Sequence, residues 1–399
     1  MIVINTLINS LIIKRGFYLM VISLNVPHKL NDNIDILLDR IPYLSEIVVG
    51  VSYNKTDKVV NLTVNESDQN AALIVELKQY YEDLCKSLEN TRVIKERIVK
   101  SNLDVNNNLL IKNENEDNIS PSPYMFETDI KIIEQLDKEF LEIARKHGTE
   151  LREYSSILSK SNILRNQYHI HFPQNIYGVA SVAHNFKSIN RFREKAIAES
   201  YDDSLLFQGD ILQPCICYHC YEELQGKVLS DGITLTAKGK CFRHEIEWRK
   251  DNFRRSEFTM REIVFIGREE WVRETRNRIM EDVWNLFESV GLKGEITTAK
   301  DPFFFSQDLK TKGTYQMMSN AKYELIVSTL SGKKVSIASF NYCQDMLCSK
   351  YEINDHNEVA LHSGCVAFGI DRWKEAFKDI HGCDFKKLAE LNVRKGISL

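Results

Sequence analysis

The sequence predicts an α+β protein: a large antiparallel sheet flanked by helices, preceded by a small N-terminal α+β domain. Three observations support this. Strand-like runs in the second half follow one another without an intervening helix each time, which antiparallel pairing allows and a parallel sheet does not. One long segment, "REEWVRETRNRIMEDVWNLFESVGL", sets Trp271, Thr275, Ile279, Val283, Phe287 and Val290 at steps of three and four, the stripe of a helix laid on a core. An Asn-rich stretch then divides the chain in two.

The elements follow in order. "MIVINTLINSLIIKRGFYLM" is apolar but too short to cross a bilayer, and its positive charges follow the apolar run instead of preceding it. It reads as neither a membrane span nor a signal peptide. Met20 is a candidate start, because "VISLNVP" after it reads as an ordinary first strand. "NIDILLDRI" is helical, "EIVVGVSY" and "KVVNLTV" form a strand pair, and "NAALIVELKQYYEDLCKSLE" carries helical spacing. Residues 1–100 therefore form a small domain with nothing catalytic in it. "SNLDVNNNLLIKNENEDNISPSP", residues 101–123, cannot support a core and is the linker. Residues 124–399 are the catalytic domain, opening with the helix-like "FETDIKIIEQLDKEFLEIARKHG" that Gly148 ends.

Composition narrows the function classes. With 43% hydrophobic and 27% charged residues the chain is ordinary globular protein, and a net charge of −4 argues against a broad nucleic-acid-binding surface. Nine cysteines are an odd, unevenly spread set that suits reduced thiols in the cytoplasm. The sequons at Asn61 and Asn65 are then chance matches.

Two stretches carry chemistry. In "CFRHEIEWRKDNFRRSEFTMREI", alternation along "KCFRHEI" puts Arg243 and Glu245 on one strand face, and along "FTMREI" it groups Phe258, Met260 and Glu262. The loop between holds Arg249, Lys250, Arg254 and Arg255. Such a hairpin offers guanidinium forks for phosphate, a carboxylate for a base edge and a ring for stacking; a solvated hairpin laced with salt bridges has the same pattern. In "HSGCVAFGIDRWKEAF", a strand runs into a helix with Cys365, Ala367 and Gly369 on one face and Arg372 just past the turn. Small residues let a ligand lie close to the strand while the arginine reaches its phosphate tail; a tightly packed core strand explains the small residues but less well the arginine.

Together these stretches resemble motifs 2 and 3 of class II aminoacyl-tRNA synthetases, an fRxE hairpin and a small-residue strand ending in an arginine. The strings "CFRHE", "MREIVFIG", "DPFF", "SFNY" and "SGCVAFGIDRW", in that order, resemble more narrowly the amino acid:[carrier protein] ligases, homologues of zinc-dependent seryl-tRNA synthetases that lack the tRNA-binding arm. The likeness covers about Tyr124 to Gly382 and not residues 1–123.

This resemblance implies the fold of those synthetases, a homodimer, and an ATP site in which Arg243 grips the α-phosphate and Arg372 the γ-phosphate. Glu245 would read the adenine amino group and Phe258 stack on the ring, with Arg254 and Arg255 in the loop over ATP. Ser336, Ile337, Ala338 and Ser339 match a stretch lining the nucleotide. Asp301, in "KDPFFF", is a pocket candidate, although Asp-Pro also starts turns. The resemblance further implies zinc held by Cys217, Glu262 and Cys365, with an open position for the substrate's neutral α-amino group. Cys215, Cys217, His219 and Cys220 could instead form a local metal site, since two-residue spacing in a strand puts Cys215, Cys217 and His219 on one face. Seryl-tRNA synthetases carry a magnesium-holding glutamate just before the stretch equivalent to "SIAS"; here "KKVSIAS" has no acid, so the Mg²⁺ required by the polyphosphate has no assigned ligand.

The expected activity is ATP-dependent formation of an aminoacyl adenylate from a small amino acid, then transfer to the phosphopantetheine thiol of a carrier protein. The residues 21–100 block is not notably basic and not a long paired coil, so no tRNA partner is expected. An atypical seryl-like tRNA synthetase and a non-catalytic synthetase paralogue are the alternatives.

Overall fold

A computed structural model describes residues 8–14, 17–66, 71–89, 91, 94–103, 121–384 and 388. They fall into two compact units.

The first unit contains the described residues up to Lys95, with Ile246–Arg249 and Pro302–Thr314. Its antiparallel sheet holds β1 (Ile8–Lys14), β2 (Phe17–Asn25), β3 (Val48–Asn54) and β4 (Val59–Glu66) in the order β1-β2-β4-β3. Alternation puts Ile22, Leu24, Val60, Leu62 and Val64 in its core. Against them the helix Ala71–Leu88 sets Leu77, Tyr81, Cys85 and Leu88, spaced four, four and three apart. Asn33 Nδ2 donates to the carbonyls of Leu88 (3.2 Å) and Thr91 (3.0 Å) at the end of that helix. "VISLNVP" is not the opening of the first strand: β2 runs through Met20 and pairs with β1 before it. Within this unit Arg249 is committed to Asp39 at 2.8 Å, and Trp248 Nε1 donates to the Val48 carbonyl at 2.9 Å.

The second unit begins at Glu96. Strand β5 (Ile98–Ser101) already pairs with the large sheet, so the sequence boundary at 101 and the domain start at 124 fall too late. Four residues on a sheet edge are too few to show a period. Residues 104–120 of the expected linker lie outside the described residues. Strand β6 (Glu150–Arg152) follows, and a three-stranded sheet holds β7 (Ile157–Leu158), β8 (Gly178–Ser181) and β9 (Leu206–Leu212). Strands β10 (Ile233–Phe242), β11 (Glu257–Gly267), β12 (Gly294–Thr298), β13 (Lys322–Ser328), β14 (Lys334–Gln344) and β15 (His362–Gly369) complete the eight-stranded sheet, ordered β5-β12-β13-β14-β15-β11-β10-β6. Every pairing in it is antiparallel except β10 with β6 at the edge.

Alternation gives this sheet two different faces. Ile263, Phe265, Leu325, Phe340, Val366 and Phe368 point one way, into the core under the helices Glu127–Lys146, Glu269–Ser289 and Ile370–His381. The stripe expected on Glu269–Ser289 is buried there, from Thr275 to Val290. On this side Arg261 forks onto Asp137 at 2.6 and 3.0 Å, tying β11 to the helix Glu127–Lys146. The other face carries the site.

Candidate functional site

Cross-strand register builds the floor. Glu262 stands opposite Ala237 on one side and Ala367 on the other, Met260 opposite Gly239 and Gly369, and Phe258 opposite Cys241. Ala367 faces Ser339, and Cys365 faces Asn341. A carboxylate and a thiol therefore emerge from a surface otherwise kept low by Ala and Gly. The shared face of Phe258 and Glu262, and the small-residue row Cys365, Ala367 and Gly369, are as the alternation predicts.

At one end of the floor, β10 stops at Phe242, so Arg243 and Glu245 lie in the loop past the strand and not on its face. Arg243 is held by its backbone N–H on Ser256 (2.9 Å), by Nε on the Pro214 carbonyl (3.3 Å), and with its guanidinium carbon 5.2 Å from the Phe258 ring centre. Arg254 pairs with Glu245 at 3.3 Å. Arg255 Nη2 donates to the Ser122 carbonyl at 2.7 Å. Arg372, at the start of the helix Ile370–His381, donates Nε to Phe253 (2.8 Å) and Nη1 to Ser336 (2.9 Å). Burial, then the nearby charges of Arg243 and Arg254, push Arg372 below the ordinary arginine range. Three half-buried guanidiniums within one another's electrostatic reach suit a multivalent anion.

The "SIAS" stretch lies on β14, but a bulge turns both Ile337 and Ala338 into the core. Their side chains do not line the site, whereas Ser339 shares the floor and Ser336 offers its carbonyl to Arg372. Asp301 is tied to Lys322 (2.6 Å) and to Gln316 (2.7 Å). Although burial opposes it, Lys322 and then Gln316 hold its carboxyl below the usual range, and Arg243 acts in the same direction. Asp301 thus belongs to the same neighbourhood as the arginines.

The cysteine stretch does not form the expected strand. Cys217–Glu223 is a helix, with Cys217, Cys220, Tyr221 and Leu224 buried at helical spacing. His219 stacks on Tyr154 (5.4 Å between ring centres), and Cys220 is buried in the core. Neither joins a metal-binding set. Among the described residues, the donor atoms that lie within 4.8 Å of one another belong to Cys215, Cys217 and Glu262. The Cys215 and Cys217 sulfurs are 3.5 Å apart, and the Ile216 amide between them donates to Glu262 Oε1 at 3.0 Å. Cys365 lies outside this set, and Asn341 Nδ2 donates to its sulfur at 3.3 Å. The neighbouring Cys217, then Cys343 and Asn341, hold the Cys365 thiol below its ordinary range, while Cys215, then Cys365 and burial, push the Cys217 thiol up. Burial and the neighbouring Cys365 raise the Glu262 carboxyl from 4.5 to about 7. Glu262 Oε2 is buried with no hydrogen-bond partner among the described residues. Thiols converging on a buried carboxylate with a spare oxygen suit zinc.

The sequence reading did not single out Asn341 or Lys322. Asn341 is two residues beyond Ser339, which puts it on the floor. Lys322 shows its role only through the pairing of β13 with β14.

No protein-family model matches the chain. The chain is 29% identical over 244 residues to amino acid--[acyl-carrier-protein] ligase 1 of Bradyrhizobium diazoefficiens, covering 60% of this chain and 74% of the relative. Ligase 2 of that organism is 29% identical over 248 residues, covering 60% and 72%. The type-2 serine--tRNA ligase of Methanocaldococcus jannaschii is 22% identical over 257 residues, which is 61% of this chain and 49% of that protein. Among solved structures, M. kandleri SerRS in complex with A. aeolicus tRNASec has a TM-score of 0.60 at 18% identity, covering 95% of this chain and 79% of that one. Seryl-tRNA synthetase from Pyrococcus horikoshii, complexed with ATP, has a TM-score of 0.50 at 15% identity, covering 65% and 53%. The fold is that of class II aminoacyl-tRNA synthetases, as the two motifs imply, and the resemblance to the carrier-protein ligases holds over a comparable share of the chain.

Proposed function

We propose that this chain is an AMP-forming ligase that activates a small amino acid with ATP and passes the aminoacyl group to the phosphopantetheine thiol of a carrier protein. One observation carries the reading: Arg243, Arg254 and Arg372 converge beside a low floor whose far end holds Glu262 and the thiols of Cys217 and Cys365. A polyphosphate at one end and an amine at the other bring a carboxylate and an α-phosphate together.

In the first step a carboxylate oxygen of the amino acid attacks the α-phosphorus, the bond to the β-phosphate's bridging oxygen breaks, and pyrophosphate leaves. Arg243 stabilises the charge gathering on the α-phosphate oxygens, and Arg372 holds the γ-phosphate. Glu245 accepts from the adenine amino group, Phe258 stacks on the ring, and Arg254 and Arg255 close over the nucleotide. The main chain and Ser339 of the 336–339 stretch border it. In the second step the carrier's thiol gives up its proton and forms a bond to the carbonyl carbon, the bond from that carbon to the oxygen bridging it to phosphorus breaks, and AMP leaves carrying that oxygen. Cys217, Glu262 and Cys365 are the residues that would hold zinc, which supplies a Lewis-acid site for the neutral α-amino group. Asp301, fixed by Lys322, orients the substrate beside it. Mg²⁺ accompanies ATP to offset the polyphosphate charge. Unpaired thiols at all nine cysteines suit a reducing, cytoplasmic setting, and no helix of the described residues is long and apolar enough to cross a membrane. The resemblance supports a homodimer.

A second reading, transfer to tRNA, is supported by the 22% identity with the type-2 serine--tRNA ligase over 61% of this chain. The adenylate step is common to both readings and is tested by amino-acid-dependent ATP–pyrophosphate exchange. Arg243→Ala is expected to slow the exchange about 10²–10³-fold, as removal of one donor to a developing oxyanion does. Exchange near the wild-type rate in a folded Arg243→Ala protein contradicts the assignment.

A further inference from the structure

Metal binding by Cys217, Glu262 and Cys365 assigns no role to Cys215, yet Cys215 is the third member of the tight donor set. Its sulfur lies 3.5 Å from that of Cys217. Two thiolates on one tetrahedral zinc, each about 2.3 Å from the metal, stand about 3.8 Å apart. The two sulfurs are thus within a few tenths of an ångström of sharing one metal ion.

The backbone makes this arrangement specific. The chain turns at Ile216 so that the amide between the two cysteines donates to Glu262 Oε1 at 3.0 Å. That bond occupies one carboxylate oxygen and leaves the buried Oε2 for another partner. The residues flanking Ile216 then bring both thiols within 4.8 Å of the carboxylate. His219, stacked on Tyr154, and Cys220, the other members of the cysteine-rich stretch, lie outside that set.

We propose that Cys215 is a third thiolate ligand of the metal, so that Cys215, Cys217, Glu262 and Cys365 supply four protein donors. This inference rests on the metal-binding reading above and changes its chemistry. Four protein donors would complete a tetrahedral zinc, so the open position that three ligands leave would be taken at rest.

The test uses full-length, metal-free protein titrated with Co²⁺ alone, reading the sulfur-to-cobalt charge-transfer absorbance per bound ion. Cys215→Ala is expected to bind one ion per chain with about a third of that absorbance lost, the change from three thiolates to two. Cys215→Ser, which keeps the side-chain volume, is expected to show the same loss. Cys343→Ala, which removes a thiol outside the donor set, is expected to keep the full absorbance. An unchanged band in both Cys215 variants overturns the proposal, as does a loss in Cys343→Ala in their place. Failure of the wild-type protein to bind Co²⁺ overturns the metal reading as a whole, a result distinct from an unchanged band.

Discussion

In metal-free protein, Glu262 should make stability fall as pH rises. Its carboxyl titrates near 4.5 when exposed and at about 7 in the fold, because burial and then Cys365 disfavour the anion. The folded state therefore binds a proton that the unfolded state has already lost. Its contribution is fully present below pH 4.5 and is gone above about 7. That interval, at about 1.4 kcal/mol per pH unit, corresponds to about 3 kcal/mol. Glu262→Gln removes the titration while keeping the shape and the acceptor for the Ile216 amide. Urea unfolding of the chelator-treated proteins at pH 4 and pH 8 reads the difference. With a slope near 3 kcal/mol per molar urea, the wild-type midpoint should fall about 1 M further than that of the variant. Added zinc should abolish the wild-type decline, since coordination favours the anion, and should leave the variant unchanged. Parallel pH profiles for the metal-free wild type and Glu262→Gln would refute the reasoning.

Purified protein should carry about one zinc per chain, the count of a single site. Cys217→Ser, Glu262→Gln and Cys365→Ser should each lose it, and Cys220→Ser should keep it; elemental analysis after gel filtration reads the outcome. Away from the site, Asp137→Ala should destabilise the second unit by about 3–5 kcal/mol, because it strands the buried Arg261 guanidinium, and Asp137→Asn should recover part of that loss in thermal melts.

The fold class was legible because two periods are plain in the sequence: three-to-four along the helix Glu269–Ser289, and two along β11 and β15. The same period of two put Glu262 on the face of Phe258 and Cys365 on that of Ala367, and register carries both onto one floor, while their selection as ligands came from the resemblance. It failed at "CICYHCY", where alternation of Cys and His imitates a strand, although Cys217, Cys220, Tyr221 and Leu224 already show the helical steps that bury them. It failed again at "SIAS", because a bulge rotates two consecutive residues into the core and nothing local announces a bulge. The convergence of Arg254 on Arg243 and Arg372 depends on how the loop folds back through the Asp251–Arg254 turn, which no periodicity encodes. Arg249, in the same charged loop, is instead held by Asp39.

The central claim is that the activated amino acid goes to a carrier thiol. A tRNA acceptor needs many phosphate contacts, which a chain of net charge −4 is poorly composed to supply. A thiol on a flexible arm needs only a modest docking surface. The most direct measurement gives the protein ATP, the amino acid that supports pyrophosphate exchange, and either the holo-carrier or the apo-carrier from the same genome. The holo-carrier should gain an aminoacyl group that hydroxylamine removes, and the apo-carrier should stay unmodified. Efficient charging of total tRNA, with no transfer to any holo-carrier, would contradict the account and make the synthetase reading the correct one.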